Sequence, residues 1–171
     1  MPPGWPAAER ETPVSLFTIL LFLHVLGAII AFGPGFAAMV VGPMVAREPQ
    51  HANFYARTQL AANLKLVTPV ALSMAVTGVL MIVERGSLST ITGGRRWLEV
   101  AILLYVIAIV YSFAIQAPAG RRLVALTSTP PVPGSPPNPD IPATARRVRM
   151  GGMLLGGLVI VMVFLMVVKP F

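Results

Sequence analysis

The chain has 171 residues, of which 56% are hydrophobic and 11% are charged, and its mean hydropathy is +0.78. Soluble domains carry about 25% charged residues, so this composition indicates a protein whose solvent is largely lipid. The lack of cysteine excludes disulfides, thiolate metal sites and iron–sulfur clusters. The net charge of +7 does not indicate nucleic-acid binding, because the basic residues fall mostly between apolar runs, as the positive-inside rule requires.

The first apolar run extends from Thr12 to Ala46 without a charged residue. A straight helix of this length would measure about 52 Å, well beyond the ~30 Å hydrocarbon core of a membrane. We therefore predict a span over about 14–39, kinked near Pro34 and ended by Gly42-Pro43, because proline removes a backbone donor. The length of the run and the net negative segment before it favour a permanent span over a cleaved signal peptide.

Three later apolar runs predict spans over about 60–83, 97–120 and 150–168. These spans should be helical, because a single segment in lipid must satisfy its own backbone hydrogen bonds. The polar connection after the first span is expected to be partly helical. The segment 127–143 holds seven prolines and is predicted to be extended, as a solvated linker or a docking segment for a partner. The predicted fold class is therefore all-α, with residues 1–171 forming one integral membrane four-helix bundle.

The distribution of lysine and arginine predicts the orientation of the bundle. The side with both termini and the second connection holds five of these residues, and the side with the first and third connections holds eight. Because basic loops remain in the cytoplasm, the count predicts that both termini lie outside and that the proline-rich loop is cytoplasmic. We expect a multi-pass protein of the inner, or plasma, membrane.

His24 is the only ionisable residue deep within a predicted span, about 15 Å along the first helix. A polar group at that depth is costly without a partner, which makes His24 a candidate functional residue. The small residues Gly27 and Ala31 share its helix face and would admit either a flat cofactor or a closely packed helix. His24 is accordingly interpreted in two ways, as a neutral residue bonded to Ser73, Thr77 or a carbonyl, or as an axial ligand of heme b or a metal.

A heme at His24 would need a second axial ligand. The other histidine, His51, lies in the first connection, so the second ligand would be a methionine or His24 of a second copy. Methionines also recur at helical spacing in two of the predicted spans, Met74 and Met81 in the second and Met162 and Met166 in the fourth. Such residues are ordinary packing side chains or soft ligands for Cu(I), which leaves copper handling open.

The fourth span opens with a glycine motif. Gly152 and Gly156 are four residues apart, which allows close approach of another helix, in the same chain by preference or in a second chain. The chain has six acidic residues and two isolated histidines, and it contains no Ser/His/Asp set or phosphate-binding glycine loop. The sequence therefore favours a protein that is not an enzyme.

The string LFLHVLGAIIAFGPGF, residues 21–36, resembles the bacterial predicted integral membrane proteins of domain-of-unknown-function family 2269. Arg96-Trp97-Leu98 and Leu104-Tyr105, at the start of the third span, fit the same pattern. More distantly, the first helix is similar to the copper-resistance D family and to the membrane-bound protoporphyrinogen oxidase of the J type. Both place a histidine early in helix one, and the oxidase resemblance implies heme binding at His24.

The resemblance to family 2269 implies a fold but does not imply any particular activity. The expected function is an accessory or binding membrane protein, with heme b at His24 as one version of it. A heme-dependent membrane oxidoreductase and a copper transport or tolerance protein are the alternatives. The expected partners are the lipid bilayer and either further copies of the chain or a larger membrane complex.

Overall fold

The computed structural model describes residues 14–85, 96–129 and 138–170. These residues form four long helices, α1 (Leu16–Arg47), α2 (Pro49–Glu84), α3 (Arg96–Thr127) and α4 (Asp140–Val168). Each helix is long and apolar enough to cross a membrane, and no strand occurs within the described ranges. The predicted all-α fold with four spanning helices is confirmed.

Helix α1 is longer than the sequence predicted. It continues through Pro34 and Pro43 to Arg47, so the predicted end at Gly42-Pro43 is wrong. Tyr55 of α2 donates a hydrogen bond to the Ala38 carbonyl at 3.5 Å, and its hydroxyl lies 3.6 Å from where a Gly42 Cβ would be. Packing of α2 on this stretch supports the helix where the proline removes one backbone bond.

Helix α4 also begins earlier than the apolar run indicates. It starts at Asp140, and Pro142 lies in its first turn, where a missing backbone donor costs nothing. The Asn138 side chain accepts a hydrogen bond from the Asp140 backbone N–H at 2.9 Å. The predicted extended segment 127–143 is thus helical at both ends, and its residues 130–137 lie outside the described part of the chain.

Two helices contain a wide, π-helical turn. In α2 this turn is Asn63–Val67, and in α3 it is Ser112–Gln116. Each is followed at the same spacing by a proline, Pro69 or Pro118. Because proline cannot donate to the preceding turn, a wider turn there keeps the helix continuous. The segment before the turn in α2 is helical from Pro49, which confirms that the first connection is partly helical.

The helices pack as two pairs that are joined at one end. Helix α1 packs along the second half of α2, and α3 packs along α4, whereas the first half of α2 contacts the last part of α3. Most of the buried positions are small, as expected where lipid-solvated helices approach closely: Gly27, Ala31, Ala56, Ala101, Ala117, Ala119 and Gly151. Large apolar side chains such as Ile29 and Val167 are 65% and 74% exposed, which suits a lipid-facing surface.

Contacts of charged or polar side chains join the two helices of each pair at one end and also connect the two pairs. At the end that carries the termini, the Arg85 guanidinium lies 3.9 Å from the Phe17 ring centre, and the Lys169 ammonium lies 5.6 Å from the Trp97 ring. Between the pairs, the Tyr105 hydroxyl donates to the Ala71 carbonyl. At the opposite end, Asn53 of α2 donates to the Val124 carbonyl of α3 at 3.1 Å.

Candidate functional site

His24 lies in the interface between α1 and α2. Its Nδ1 atom is 3.0 Å from the Thr77 hydroxyl oxygen, and the Thr77 hydroxyl donates to the Met74 carbonyl at 3.1 Å. The Thr77 hydroxyl can donate to that carbonyl while Nδ1 donates to Thr77, which favours the Nδ1–H tautomer of the neutral ring, with the lone pair on Nε2.

The Nε2 atom of His24 makes no hydrogen bond to any residue in the described part of the chain. No fully buried side-chain nitrogen or oxygen among those residues lacks a partner, so Nε2 lies at the accessible surface of the half-buried ring. Of the partners that the sequence offered, Thr77 is the one that His24 uses. The Ser73 hydroxyl instead donates to the Val70 carbonyl of its own helix at 2.7 Å.

The small face next to His24 is filled by α2. A Cβ atom at Gly27 would lie 2.8 Å from Met74 Cγ, and one at Gly78 would lie 3.4 Å from the Cε1 atom of His24. Ala31, one turn further along, is also buried. Gly27 and Ala31 thus sit where helix packing requires small residues, and the space that they provide is taken by the neighbouring helix rather than left for a flat cofactor.

The other candidate ligands do not converge on His24. Met74 packs over Gly27, which makes it a gap-filling side chain. His51 pairs with Glu48 at 3.5 Å on the exposed surface of the first turn of α2. Within the described ranges, no group of three His, Cys, Asp or Glu side chains could hold a metal ion. The residues of a single chain therefore do not fit an enclosed heme or copper site.

A second polar contact joins α3 to α4. Gln116, the last residue of the wide turn in α3, donates from Nε2 to the Val148 carbonyl at 2.9 Å. This approach depends on Gly151, because a Cβ there would lie 2.1 Å from Gln116 Oε1 and 2.9 Å from the Tyr111 hydroxyl. Gln116 was not among the residues predicted from the sequence. The feature of the sequence that indicates Gln116 is a polar amide inside an apolar run, because amide side chains form hydrogen bonds between membrane helices.

The glycine motif of α4 lies elsewhere on the helix. Gly152 and Gly156 are exposed, and no atom in the described part of the chain lies within 4 Å of the position that a Gly156 Cβ would take. Among the described residues, the expected packing of Gly156 against a helix of the same chain is therefore not observed. The contact falls at Gly151, one residue before Gly152 and five before Gly156, and at about 100° per residue Gly156 points away from Gln116.

Comparison with known proteins places the chain in a family. A family model described as "Predicted integral membrane protein (DUF2269)" matches residues 18–170. Neither the curated proteins nor the solved structures include a match. The resemblance to this family is thus confirmed, whereas the likeness to the copper-resistance D and J-type oxidase families has no support in these comparisons.

Proposed function

The chain belongs to the DUF2269 family of predicted integral membrane proteins, and on that premise we propose that it is an accessory or binding protein of the plasma membrane. Its partner is a second membrane helix, from another copy or another protein, that engages the His24 face of α1. The observation that carries this proposal is the accessible Nε2 atom of His24, which has no hydrogen-bond partner among the described residues.

The energetics of the imidazole ring support a partner outside the chain. An unpaired acceptor that faces hydrocarbon costs about 1–3 kcal/mol by the measure of protein substitutions. Thr77 holds the ring in one orientation, so the lone pair of Nε2 keeps a fixed direction. A hydroxyl, amide or indole N–H from a neighbouring helix would satisfy it, and such interhelical bonds are an ordinary means of association in membranes.

Heme b is the second candidate for the same lone pair. A histidine that ligates a metal has its other ring nitrogen held by a hydrogen bond, as Thr77 holds Nδ1 here. Because α2 fills the space next to His24, a heme would have to lie outside the chain, between two copies that each provide His24. A heme-dependent oxidoreductase would require this arrangement, and copper handling would require a thioether set that the position of Met74 does not favour.

One purification distinguishes these candidates. The protein is produced with added heme, extracted in mild detergent, and examined by absorption spectroscopy and by its native mass. We expect no Soret band and a complex larger than the 18.2 kDa chain. His24→Ala should reduce the complex to the monomer, whereas the control Ser73→Ala should not, because Ser73 bonds only within its own helix.

Each other outcome has a definite meaning. A wild-type protein that is monomeric without a Soret band contradicts the proposed partner. A Soret band that is lost in His24→Ala but kept in His51→Ala replaces the proposal with heme binding. A complex that is unchanged in His24→Ala shows that association uses a different surface.

The proposal includes the orientation derived from the basic residues, with both termini outside. Because the chain has no cysteine, single substitutions provide unique labelling sites. Pro170→Cys, beside the end of α4, should react with an impermeant thiol reagent added to intact cells. Ser128→Cys, just beyond α3, should react only after the cells are opened, and the reverse pattern would invert the orientation.

A further inference from the structure

A cavity opens between α3 and α4 at the end of the molecule remote from the termini. Its volume is about 500 Å³, within the range of small-molecule sites. Tyr111 of α3 contributes one wall, and Arg146, Arg147, Met150 and Leu154 of α4 contribute the other. The bond from Gln116 to the Val148 carbonyl, with Gly151 beneath it, joins the two helices beside the cavity.

The arginines at this cavity lack acidic partners among the described residues. The first and third connections together hold eight lysine and arginine residues but only two acidic ones, Glu48 and Asp140. Asp140 is paired with Arg122 at 3.1 Å, and Glu48 is paired with His51 at 3.5 Å. Arg146 and Arg147 therefore present positive charge at the mouth of the cavity without local neutralisation.

The cavity has a polar end and an apolar end in the order that a lipid requires. Arg147, Met150 and Leu154 follow one another at helical spacing, so they share one face of α4 over about 10 Å. Met150 and Leu154 are 56% and 50% exposed, so the part of the cavity that they line is open toward the bilayer. Arg146 and Arg147 lie four and three residues before Met150, where the apolar run of α4 begins, which places them near the level of lipid phosphates.

We propose that this cavity binds an anionic phospholipid, with the phosphate between Arg146 and Arg147 and an acyl chain along Met150 and Leu154. Guanidinium groups bind phosphate through paired hydrogen bonds, and the Tyr111 hydroxyl is a further donor on the opposite wall. The apolar wall favours a lipid over free phosphate, which would gain nothing from it. The site does not involve His24 and does not depend on the proposed function.

The test measures lipid retained by the full chain. The protein is reconstituted in phosphatidylcholine with increasing phosphatidylglycerol, and bound lipid is counted by native mass spectrometry after transfer to detergent. We expect preferential retention of phosphatidylglycerol. Arg146→Gln combined with Arg147→Gln should weaken that preference about tenfold or more, the amount expected for losing charged hydrogen bonds. Arg57→Gln combined with Arg121→Gln removes equal charge on the same side and should leave the preference nearly unchanged.

A substitution that preserves all charges tests the position of the lipid. Ala143 is exposed and lines the cavity, so Ala143→Trp should fill the cavity without disturbing the fold. It should reduce retention of phosphatidylglycerol, with the helix content unchanged by circular dichroism. Retention that persists in Ala143→Trp contradicts the proposed location.

The remaining outcomes are also decisive. Equal losses in the two double variants would show diffuse attraction to a basic surface and would overturn the site. Displacement of phosphatidylglycerol by millimolar inorganic phosphate, with no dependence on the acyl chain, would identify a free-anion site instead. Retention of phosphatidylcholine and phosphatidylglycerol in equal amounts would also overturn the proposal.

Discussion

Both helix pairs pack through a glycine and a side-chain hydrogen bond, but these contacts lie at different depths of the membrane. In the α1–α2 pair, Gly27 admits Met74 and His24 bonds Thr77, all within the apolar run. In the α3–α4 pair, Gly151 admits Gln116 at the polar end of the fourth apolar run. The first pair has its small face filled by the neighbouring helix, whereas the second has a cavity beside its contact. A side chain of the neighbouring helix fills the space at both glycines, and the difference between the pairs is the cavity that lies beside the α3–α4 contact.

The largest expected effect is at the filled contact. Gly27→Leu places a side chain where Met74 Cγ already lies, so it should lower the free energy of unfolding by about 3 kcal/mol. Unfolding by a denaturing detergent, followed by circular dichroism, measures this change. Gly35→Leu is the matched control, because no atom of residues 14–85, 96–129 or 138–170 lies within 4 Å of its Cβ position. Equal losses in the two variants would contradict the difference between filled and open glycines.

The contact beside the cavity should be less costly to disturb. Gly151→Ala displaces the Gln116 amide from the Val148 carbonyl, and we expect a loss of about 1–2 kcal/mol in the free energy of unfolding. Gly157→Ala, at an open position, should show no such loss. In a Gln116→Ala background the cost of Gly151→Ala should fall, and a cost that stays the same would show that Gln116 is not the residue displaced.

The hydrogen bond between His24 and Thr77 should contribute less to the free energy of unfolding than either glycine contact. A double-mutant cycle with His24→Ala and Thr77→Val should give a coupling of about 0.6–1.7 kcal/mol, as for other bonds between membrane helices. Thermal unfolding at fixed detergent concentration gives the four values. A coupling near zero would mean that the two side chains do not stabilise each other, and it would remove the reason for a fixed ring.

The smallest expected effect on the isolated chain is at the exposed glycine motif. No atom of the described residues lies within 4 Å of a Cβ at Gly156, so in Gly156→Leu the unfolding free energy of the monomer should be preserved or slightly raised. Any self-association should weaken if a second copy packs on this face. A marked loss of monomer stability would show that a helix of the same chain covers Gly156 after all.

The sequence predicted the lipid-facing part of the molecule well. Runs free of charge mark four helices long and apolar enough to span, since this signal reflects transfer into lipid. The small residues around His24 left close packing and a flat cofactor as alternatives, and Met74 of α2 lies against Gly27. The ends of the helices were predicted less well. Arg146 and Arg147 are good helix formers that hydropathy ignores, so α4 begins ten residues before its apolar run. Hydropathy reports depth in the membrane, not backbone conformation.

Only some of the residues in the two interhelical contacts could be predicted from their chemistry. An ionisable residue at mid-span drew attention to His24, and Thr77 was one of its predicted partners. Gln116 was missed because an amide carries no charge and its partner is a backbone carbonyl. The choice between Gly151 and Gly156 as the contact depends on helix rotation around α4, which a GxxxG spacing does not specify.

The wide turn of α2 also has a consequence for how the chain tolerates insertions and deletions. A π turn holds one more residue than an α turn, which offsets the angular positions before and after it by about 100°. Asn53 on one side faces α3, while Thr77 on the other faces α1, and this extra residue sets the angle between them. Removing one residue from Asn63–Val67 would leave every remaining side chain chemically intact. The two halves of α2 would nevertheless be rotated relative to each other, so α2 would lose its packing against either α1 or α3.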